Sequence, residues 1–553
     1  MLDLAHVRGA GLNSSKACLE GTRRHTLDEL IAWINKPDAH QVRFLLGGAG
    51  TGKSSVAHSI GVHFRELRRL GCFFCFDSSF QRDRHPETVF STIAHSLANW
   101  NPDFRRTLAE VLREQRELGD SKDITVQWEG LIVQPLKRFP LVGPVLVVID
   151  AFDECASADA RSRRLLLKHL TEGSIDLPSN FRILITSRPE HDITRVLGSA
   201  SDDHLRISHM LLDDKTEEAI SDIERYVRHT LVPDDLGYEA PLDNTDIRKL
   251  ADKAEGLFQW AATACRVILQ NPAGLTLKER FDLRLGKILG GGPNSLDDLY
   301  RSILAQLFDL DEPVLVERFR SVMAQVLCAS TPLSVESLDE IRLSAFGVQK
   351  GEVSLVVGYM GSLLSGVSTR TSPIRPLHTS FRDFLTYKDR SQEWFVNVSK
   401  GHPVMALGCL RVMNKYLSFN ICRLATSYVP NRRISDLEDR LTKFVPEYLS
   451  YAACNWKDHL PDIQFPPVLQ QELARFLRGK LLFWLELLSL LKSVSRAAPS
   501  LEAAVGRCDV SLLIPLHAIH PDFGPNCYRD MKSIHLKRYC SMLFLSSADL
   551  PVS

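Results

Sequence analysis

"LLGGAGTGKSSVAHSI", Leu45 to Ile60, is the stretch from which the rest of the chain can be read. Its core, Gly47, Gly48, Ala49, Gly50, Thr51, Gly52, Lys53 and Ser54, fits G-x-x-x-x-G-K-[ST] in full, with Ser55 next in line. An apolar strand-like run precedes it and a helix-like run follows. Glycines let backbone N–H groups turn toward phosphate oxygens, and a helix N-terminus adds about +0.5 of an elementary charge at that spot. In this geometry Lys53 contacts the β- and γ-phosphates, and the Ser54 hydroxyl takes a coordination position on Mg²⁺. The spacing predicts a nucleotide cradle.

Working outward, "VLVVIDAFDEC" from Val145 to Cys155 ends an apolar strand on Asp150. That places a carboxylate at the C-terminal edge of a sheet, beside the magnesium shell. Asp153 and Glu154 follow at a spacing that brings one of them to an attacking water; Glu154 is the first choice for the water and Asp153 for metal or structural support. "FRILITSRPE" from Phe181 to Glu190 ends a further strand on Thr186, Ser187 and Arg188, and an arginine there can read a γ-phosphate through paired N–H donors. No N-K-x-D guanine signature stands in a useful position, since "NKYL" at Asn414 lacks the aspartate. ATP or ADP is the expected nucleotide, with GTP not excluded, and Mg²⁺ the expected metal.

Between Gln41 and about Ser208 short apolar runs alternate with amphipathic segments: "QVRFLL", "CFFCF", "VLVVID", "RILITS" and, less clearly, "HLRIS". Strand then helix, repeated, implies a parallel sheet covered on both faces. Beyond it the pattern turns helical. Asp214 and Glu217 stand at capping-box spacing before Ile220, Ile223 and Val227 on one face. After the glycines and proline of "LGGGPNSL", further helices lead to "GVSTRTSPIRPLH", whose Ser, Thr and Pro residues suit a hairpin or wing. Helices followed by a wing predict a small winged-helix domain. Mostly helices are expected from about Gln392 onward, and no internal repeat of 20 to 50 residues is visible. The expected class is an α/β P-loop NTPase with a parallel sheet, followed by helical, winged-helix and further α-helical domains. The expected boundaries are a lead-in helix over 1–35, the NTPase over 36–212, a helical domain over 213–292, a winged helix over 293–391 and a C-terminal α-helical region over 392–553.

Composition narrows the partners. A chain of 553 residues allows roughly three to four domains at about 150 residues each. Lys plus Arg equals Asp plus Glu at 67 each, so no global charge draws the chain to nucleic acid or anionic lipid. The 12 cysteines are scattered, and the close pair Cys72 and Cys75 in "GCFFCF" has no second Cys/His pair near it. Buried strand thiols in a reducing compartment are the expectation. The N-terminus shows no secretory signal, and "LLFWLELLSLL", Leu481 to Leu491, falls short of the ~18 apolar residues that suggest spanning. A cytoplasmic protein is expected, with no membrane and no nucleic-acid partner.

These motifs together resemble the NACHT branch of the signal-transduction ATPases with numerous domains, and most closely the fungal NACHT group with the nephrocystin-type N-terminal NTPase. "CLEGTRRHTLDELIAWI" is similar to the group's lead-in helix, "RPLHTSFRDFLT" to the end of its winged helix, and "YLSYAACNWKDHL" with "LLFWLELLSLL" to the helical region that precedes its sensor repeats. The resemblance runs over about residues 18 to 495. It implies a signalling switch in which ADP holds the NTPase and winged-helix domains closed, ATP opens them, and open protomers oligomerise. It further implies Asp150, Asp153 and Glu154 as the acidic group, Arg188 as the sensor arginine, and His378 as the winged-helix histidine on the ADP phosphates. The same resemblance implies protein partners or self-association, in fungal self/non-self or innate-type responses. Two departures stand out: about 40 residues precede the NTPase strand, too few for an effector domain, and a divergent tail stands where repeats are expected. A truncated nucleotide-binding interaction module without significant hydrolysis is the alternative reading, and a metabolic kinase or helicase the third.

Overall fold

The computed structural model describes residues 4, 6–37, 39–80, 84–139, 142–155, 160–199, 207–212, 216–232, 242–270, 274–289, 296–347, 351–426, 429, 431–460 and 465–505. The chain divides into two compact units. The first comprises Met1–Ile303 with His378–Ser380, and the second Leu304–Leu377 with Phe381–Ser553.

The first unit is built on five strands, β1 (Val42–Leu46), β2 (Leu70–Cys75), β3 (Val145–Asp150), β4 (Phe181–Ser187) and β5 (Ile207–Leu211), in the order β2-β3-β4-β1-β5. Every pairing is parallel. The apolar runs are continuous because both faces of the central strands are buried. Val145, Val147 and Ile149 of β3 point into one core with Phe44, Ile183 and Ile185, while Leu146 and Val148 point into the other with Leu45 and Leu184. Helix α1 (Arg24–Asn35) and helix α2 (Lys53–Glu66) cover the second face through Leu30, Trp33 and Ile34 and through Val56, Ala57, Ile60 and Phe64. The first face is covered by α3 (Val89–Trp100), whose Phe90, Ile93, Ala94 and Leu97 are buried there. The expected sheet is present strand for strand. Of "HLRIS", the first three residues lie outside the described residues and β5 starts at Ile207.

Cys72 and Cys75 both lie on β2 as free thiols, and burial pushes the Cys72 thiol up to about 12, so the pair behaves as strand core. Helix α4 (Glu217–Leu231) buries Ile223 and Val227, as its spacing predicts. Its cap is Thr216, whose hydroxyl accepts from the Ala219 N–H at 3.1 Å; Asp214 lies outside the described residues. Helix α5 (Phe258–Leu269) follows.

In the second unit, α6 (Pro313–Cys328), α7 (Val335–Phe346) and α8 (Glu352–Val357) precede a short antiparallel ribbon of β6 (Leu364–Ser365) and β7 (Arg375–Pro376). The hairpin expected from "GVSTRTSPIRPLH" is therefore present. Helix α9 (Gly401–Tyr416) packs directly on α7: a Cβ at Gly408 would lie 2.4 Å from the Ile341 carbonyl oxygen, so only glycine allows this approach. Helices α10 (Glu447–Asn455) and α11 (Leu481–Leu490) continue the helical region. Helix α11 buries Trp484, Leu487, Leu488 and Leu490, which accounts for its apolar sequence as core. Among the described residues no helix is long and apolar enough to cross a membrane. The loop "LGGGPNSL" lies for the most part, and the tail beyond residue 505 wholly, outside the described residues.

Candidate functional site

Strand order sets the site. Because β4 lies between β3 and β1 and all three run the same way, their C-terminal ends present Asp150, then Thr186 to Arg188, then the Gly47–Ser54 loop in a row. Three stretches far apart in sequence thus meet at one sheet edge.

The loop is held in shape from several sides. The Thr51 hydroxyl donates to the Gly48 carbonyl at 3.1 Å, and Lys53 Nζ donates to the Gly47 and Gly48 carbonyls at 2.9 and 2.7 Å. The Arg23 guanidinium donates to the Thr51 carbonyl at 2.9 Å, and the Gln259 N–H on α5 donates to the Gly50 carbonyl at 3.1 Å. Arg23 is itself buried, stacked over Phe258 at 5.0 Å, with its backbone N–H on Asp222 Oδ2 at 2.8 Å. Gly50 and Gly52 have φ of +81° and +95°, the left-handed region that glycine occupies without strain. Gly52 is also the N-cap of α2, with no side chain to cap the first-turn amides and open space where a Cβ would stand. Ser54 and Ser55, in that first turn, are half-buried, and Gly48 and Ala49 line the accessible side of the loop.

Asp150 is buried and doubly held. The Thr186 hydroxyl donates to Oδ1 at 2.6 Å and the Cys75 thiol to Oδ2 at 3.4 Å, while Thr186 Oγ1 accepts from the Ala151 N–H at 2.9 Å. Ala151 turns through φ +56°, which swings the following Asp153 and Glu154 back over the edge. Asp153 grips Arg188 twice, through its side-chain Nε at 2.9 Å and its backbone N–H at 3.1 Å. Glu154 is half-buried beside it, near enough to Lys53, with Asp150 and Asp153, to favour its charged form. Burial works against that charge and is the larger influence, and Arg188 adds to it, so the Lys53 ammonium sits below its ordinary range.

His378 comes to the same place although it lies far along the chain. Its Nδ1 accepts from the Ser380 N–H at 3.1 Å and pairs with the Ser380 hydroxyl at 2.6 Å, which in turn meets the Tyr300 hydroxyl at 2.8 Å. With Nδ1 occupied as an acceptor, the proton of the neutral ring sits on Nε2. Burial, followed by the charges of Arg188, Lys53 and Arg266, pushes its pKa down to about 3. Arg188 also reaches the adjoining segment, donating from Nη2 to Thr379 Oγ1 at 3.3 Å.

An ammonium, a guanidinium and a neutral imidazole N–H are thus gathered at a glycine-lined helix N-terminus, the ammonium and the imidazole both buried against their charged forms. Such a donor set fits a nucleoside polyphosphate, whose anionic oxygens would accept from all three. Ser54 and Asp150 supply a hydroxyl and a carboxylate oxygen, the hard ligands that Mg²⁺ takes. Sequence reading brought forward Lys53, Ser54, Asp150, Asp153, Glu154, Arg188 and His378, and the structure brings all of these elements together. It missed the supporting residues Arg23, Gln259, Tyr300 and Ser380, and it named Thr186 only as the end of a strand. None of these has a spacing signature, because each acts through a tertiary contact.

Residues 21–188 match the family described as Nephrocystin 3, N-terminal. The chain is 26% identical over 595 aligned positions to the vegetative incompatibility protein HET-E-1 of Podospora anserina, an alignment covering 99% of this chain and 41% of that protein. The chain therefore spans about two-fifths of the length of that relative. Among solved structures, a signal-transduction ATPase with numerous domains carrying a tetratricopeptide repeat sensor, from Pyrococcus horikoshii, aligns at TM-score 0.38 and 12% identity, over 89% of this chain and 68% of that one. A Walker-type ATPase of Pyrococcus abyssi aligns at TM-score 0.31 and 13% identity, over 65% of this chain and 94% of the other. The phosphate loop and the acidic strand end both fall within the stretch that matches the Nephrocystin 3, N-terminal family, so the first unit carries a P-loop NTPase-type fold similar to that family's.

Proposed function

We propose that the chain is a signalling switch set by the adenine nucleotide it holds with Mg²⁺. Lys53 and the first-turn amides of α2 bind the β-phosphate side of the nucleotide, Ser54 and Asp150 the metal, and Arg188 the γ-phosphate. Glu154 orients the water for a slow hydrolysis, and Asp153 keeps Arg188 aimed. The carrying observation is that Arg188 donates to Thr379 Oγ1 at 3.3 Å, immediately beside His378, whose Nδ1 is held by Ser380. A neutral Nε2–H beside two cations is a donor for the diphosphate, and Arg188 is bonded to Thr379 of the same short segment. The γ-phosphate competes for Arg188 and draws it from Thr379, which gives ATP and ADP different partners and hence different stabilising effects on the two arrangements. Only such a difference can shift a population. The helices and ribbon over 293–391 act as the winged helix that closes on ADP, 213–292 as the helical link, and 392–553 as the region through which open chains meet each other or a partner protein.

The test is ADP affinity in calorimetry for wild type and His378→Ala. The expected result is a loss of about 10-fold for ADP, the scale of one hydrogen bond to a charged group, and a smaller loss for an ATP analogue. Equal affinity for ADP in the two proteins would remove His378 from the site and with it the closed arrangement.

A further inference from the structure

Within the second unit, Cys328, His402 and His459 stand together on three elements: the C-terminus of α6, the start of α9, and the turn Trp456–His459 after α10. One ligand-capable atom from each lies within 4.8 Å of the others. None of the three belongs to the phosphate loop or its acids. From Sγ and the two Nδ1 atoms of this cluster, we infer a zinc-binding site whose fourth position is open to water.

The geometry supports this in three ways. First, His402 Nδ1 and His459 Nδ1 face each other at 3.1 Å. Two imidazole nitrogens on a tetrahedral zinc with bonds near 2.0–2.1 Å stand about 3.3 Å apart, and a nitrogen and a thiolate sulfur about 3.6 Å apart. The pair already has this spacing, and with the three ligand atoms within 4.8 Å of one another the thiol needs to draw in by about 1.2 Å at most. Second, the far nitrogen of His459 is fixed: Nε2 lies 2.8 Å from the buried Tyr451 hydroxyl, which accepts from the Ser330 N–H at 3.0 Å. A partner on the other ring nitrogen is what orients metal-bound histidines and sets their tautomer. Third, the approach of the ligands depends on a glycine that does nothing else visible. A Cβ at Gly401 would stand 2.4 Å from the Ala324 carbonyl oxygen and 2.7 Å from Cys328 Sγ, so any other residue would push the start of α9, and His402 with it, away from the thiol.

The donor set selects the metal. One thiolate with two imidazoles suits zinc, whereas magnesium and calcium take oxygen ligands. On binding, the Cys328 S–H proton leaves to solvent as the sulfur–zinc bond forms, and both Nδ1 atoms give their lone pairs to the metal. His459 then carries its proton on Nε2 and donates to the Tyr451 oxygen. Cys328 and His459 are buried and His402 half-buried, so the open position points toward the accessible side of the cluster.

The test uses the full chain, purified without chelator and then reconstituted with Co²⁺ as a spectroscopic stand-in for zinc. The expected results are one zinc per chain by elemental analysis, and with cobalt a thiolate-to-metal charge-transfer band together with tetrahedral d–d bands. Cys328→Ser is expected to lose the charge-transfer band and to bind zinc at least about 100-fold more weakly, and His402→Gln, at the half-buried ligand, to weaken zinc binding while leaving the band. A wild-type protein that takes up neither metal stoichiometrically overturns the inference, because the three residues are then a hydrogen-bonded cluster only. Cobalt bound without the sulfur band, or bound equally by Cys328→Ser, overturns it as well.

Discussion

At the scale of single residues the site is a balance of charges. Lys53 and Arg188 are held beside His378, and burial, more than the charge of Arg188, sets Lys53 below its ordinary range despite the acids Asp153, Asp150 and Glu154. Lys53→Ala removes the charge that reaches the phosphates and is expected to weaken ADP and ATP alike by about 100-fold, the cost of a charged hydrogen-bond donor. Unchanged affinity in calorimetry would mean that the nucleotide sits elsewhere. The residues that make chemistry were legible because phosphate binding restricts backbone and side chain at once, so Gly47 to Ser54 have a pattern. The residues that hold them were not. Thr186 joins Asp150 to the Ala151 amide, and Arg23 reaches the Thr51 carbonyl, only because β4 and the lead-in segment fold against the loop. Ala151 at φ +56° is likewise visible only in three dimensions.

At the scale of elements, α2 links the phosphate loop to the core, and it contains a second histidine kept neutral. His58 is 1% exposed, stacks on Phe73 at 4.5 Å, and accepts from the Asn13 N–H at Nδ1, while its Nε2 has no partner among the described residues. Burial, with Lys16 adding to it, lowers its pKa to about 4. The unfolded chain takes up this proton near pH 6.5 and the folded chain only near 4, so the stability present above pH 6.5 is lost as pH falls through that window. His58→Gln keeps an acceptor for Asn13 and does not titrate. Wild type is expected to lose about 2 kcal/mol more than this variant between pH 7 and pH 5, read from denaturant melts. Parallel loss in both proteins would show that His58 is charged in the fold. Strands β1 to β4 were legible from their continuous apolar runs, since parallel strands buried on both faces leave no room for polar alternation. Helix ends were less so: α4 is capped by Thr216, which no spacing singled out, because any nearby Ser, Thr or Asp can compete for the same first-turn amides.

At the scale of the whole molecule, the phosphate loop at residues 47–54 and the segment at 378–380 fall in one compact unit, although the stretch that leads directly into that segment, Leu304–Leu377, belongs to the other. Nucleotide state is proposed to decide whether that segment stays. The fold of the NTPase domain could be read from its motifs, whereas the return of His378 could be anticipated only through family resemblance, since no periodicity predicts a contact across some 190 residues of chain. The zinc cluster was not anticipated either, because Cys328, His402 and His459 have no close spacing and come together only where α6, α9 and the turn after α10 pack. The central claim is best tested by the hydrodynamic radius of the purified chain with saturating Mg·ADP and with a non-hydrolysable Mg·ATP analogue. The account predicts a compact monomer with ADP and a larger radius or self-association with the analogue, and an identical radius and mass in both would contradict it.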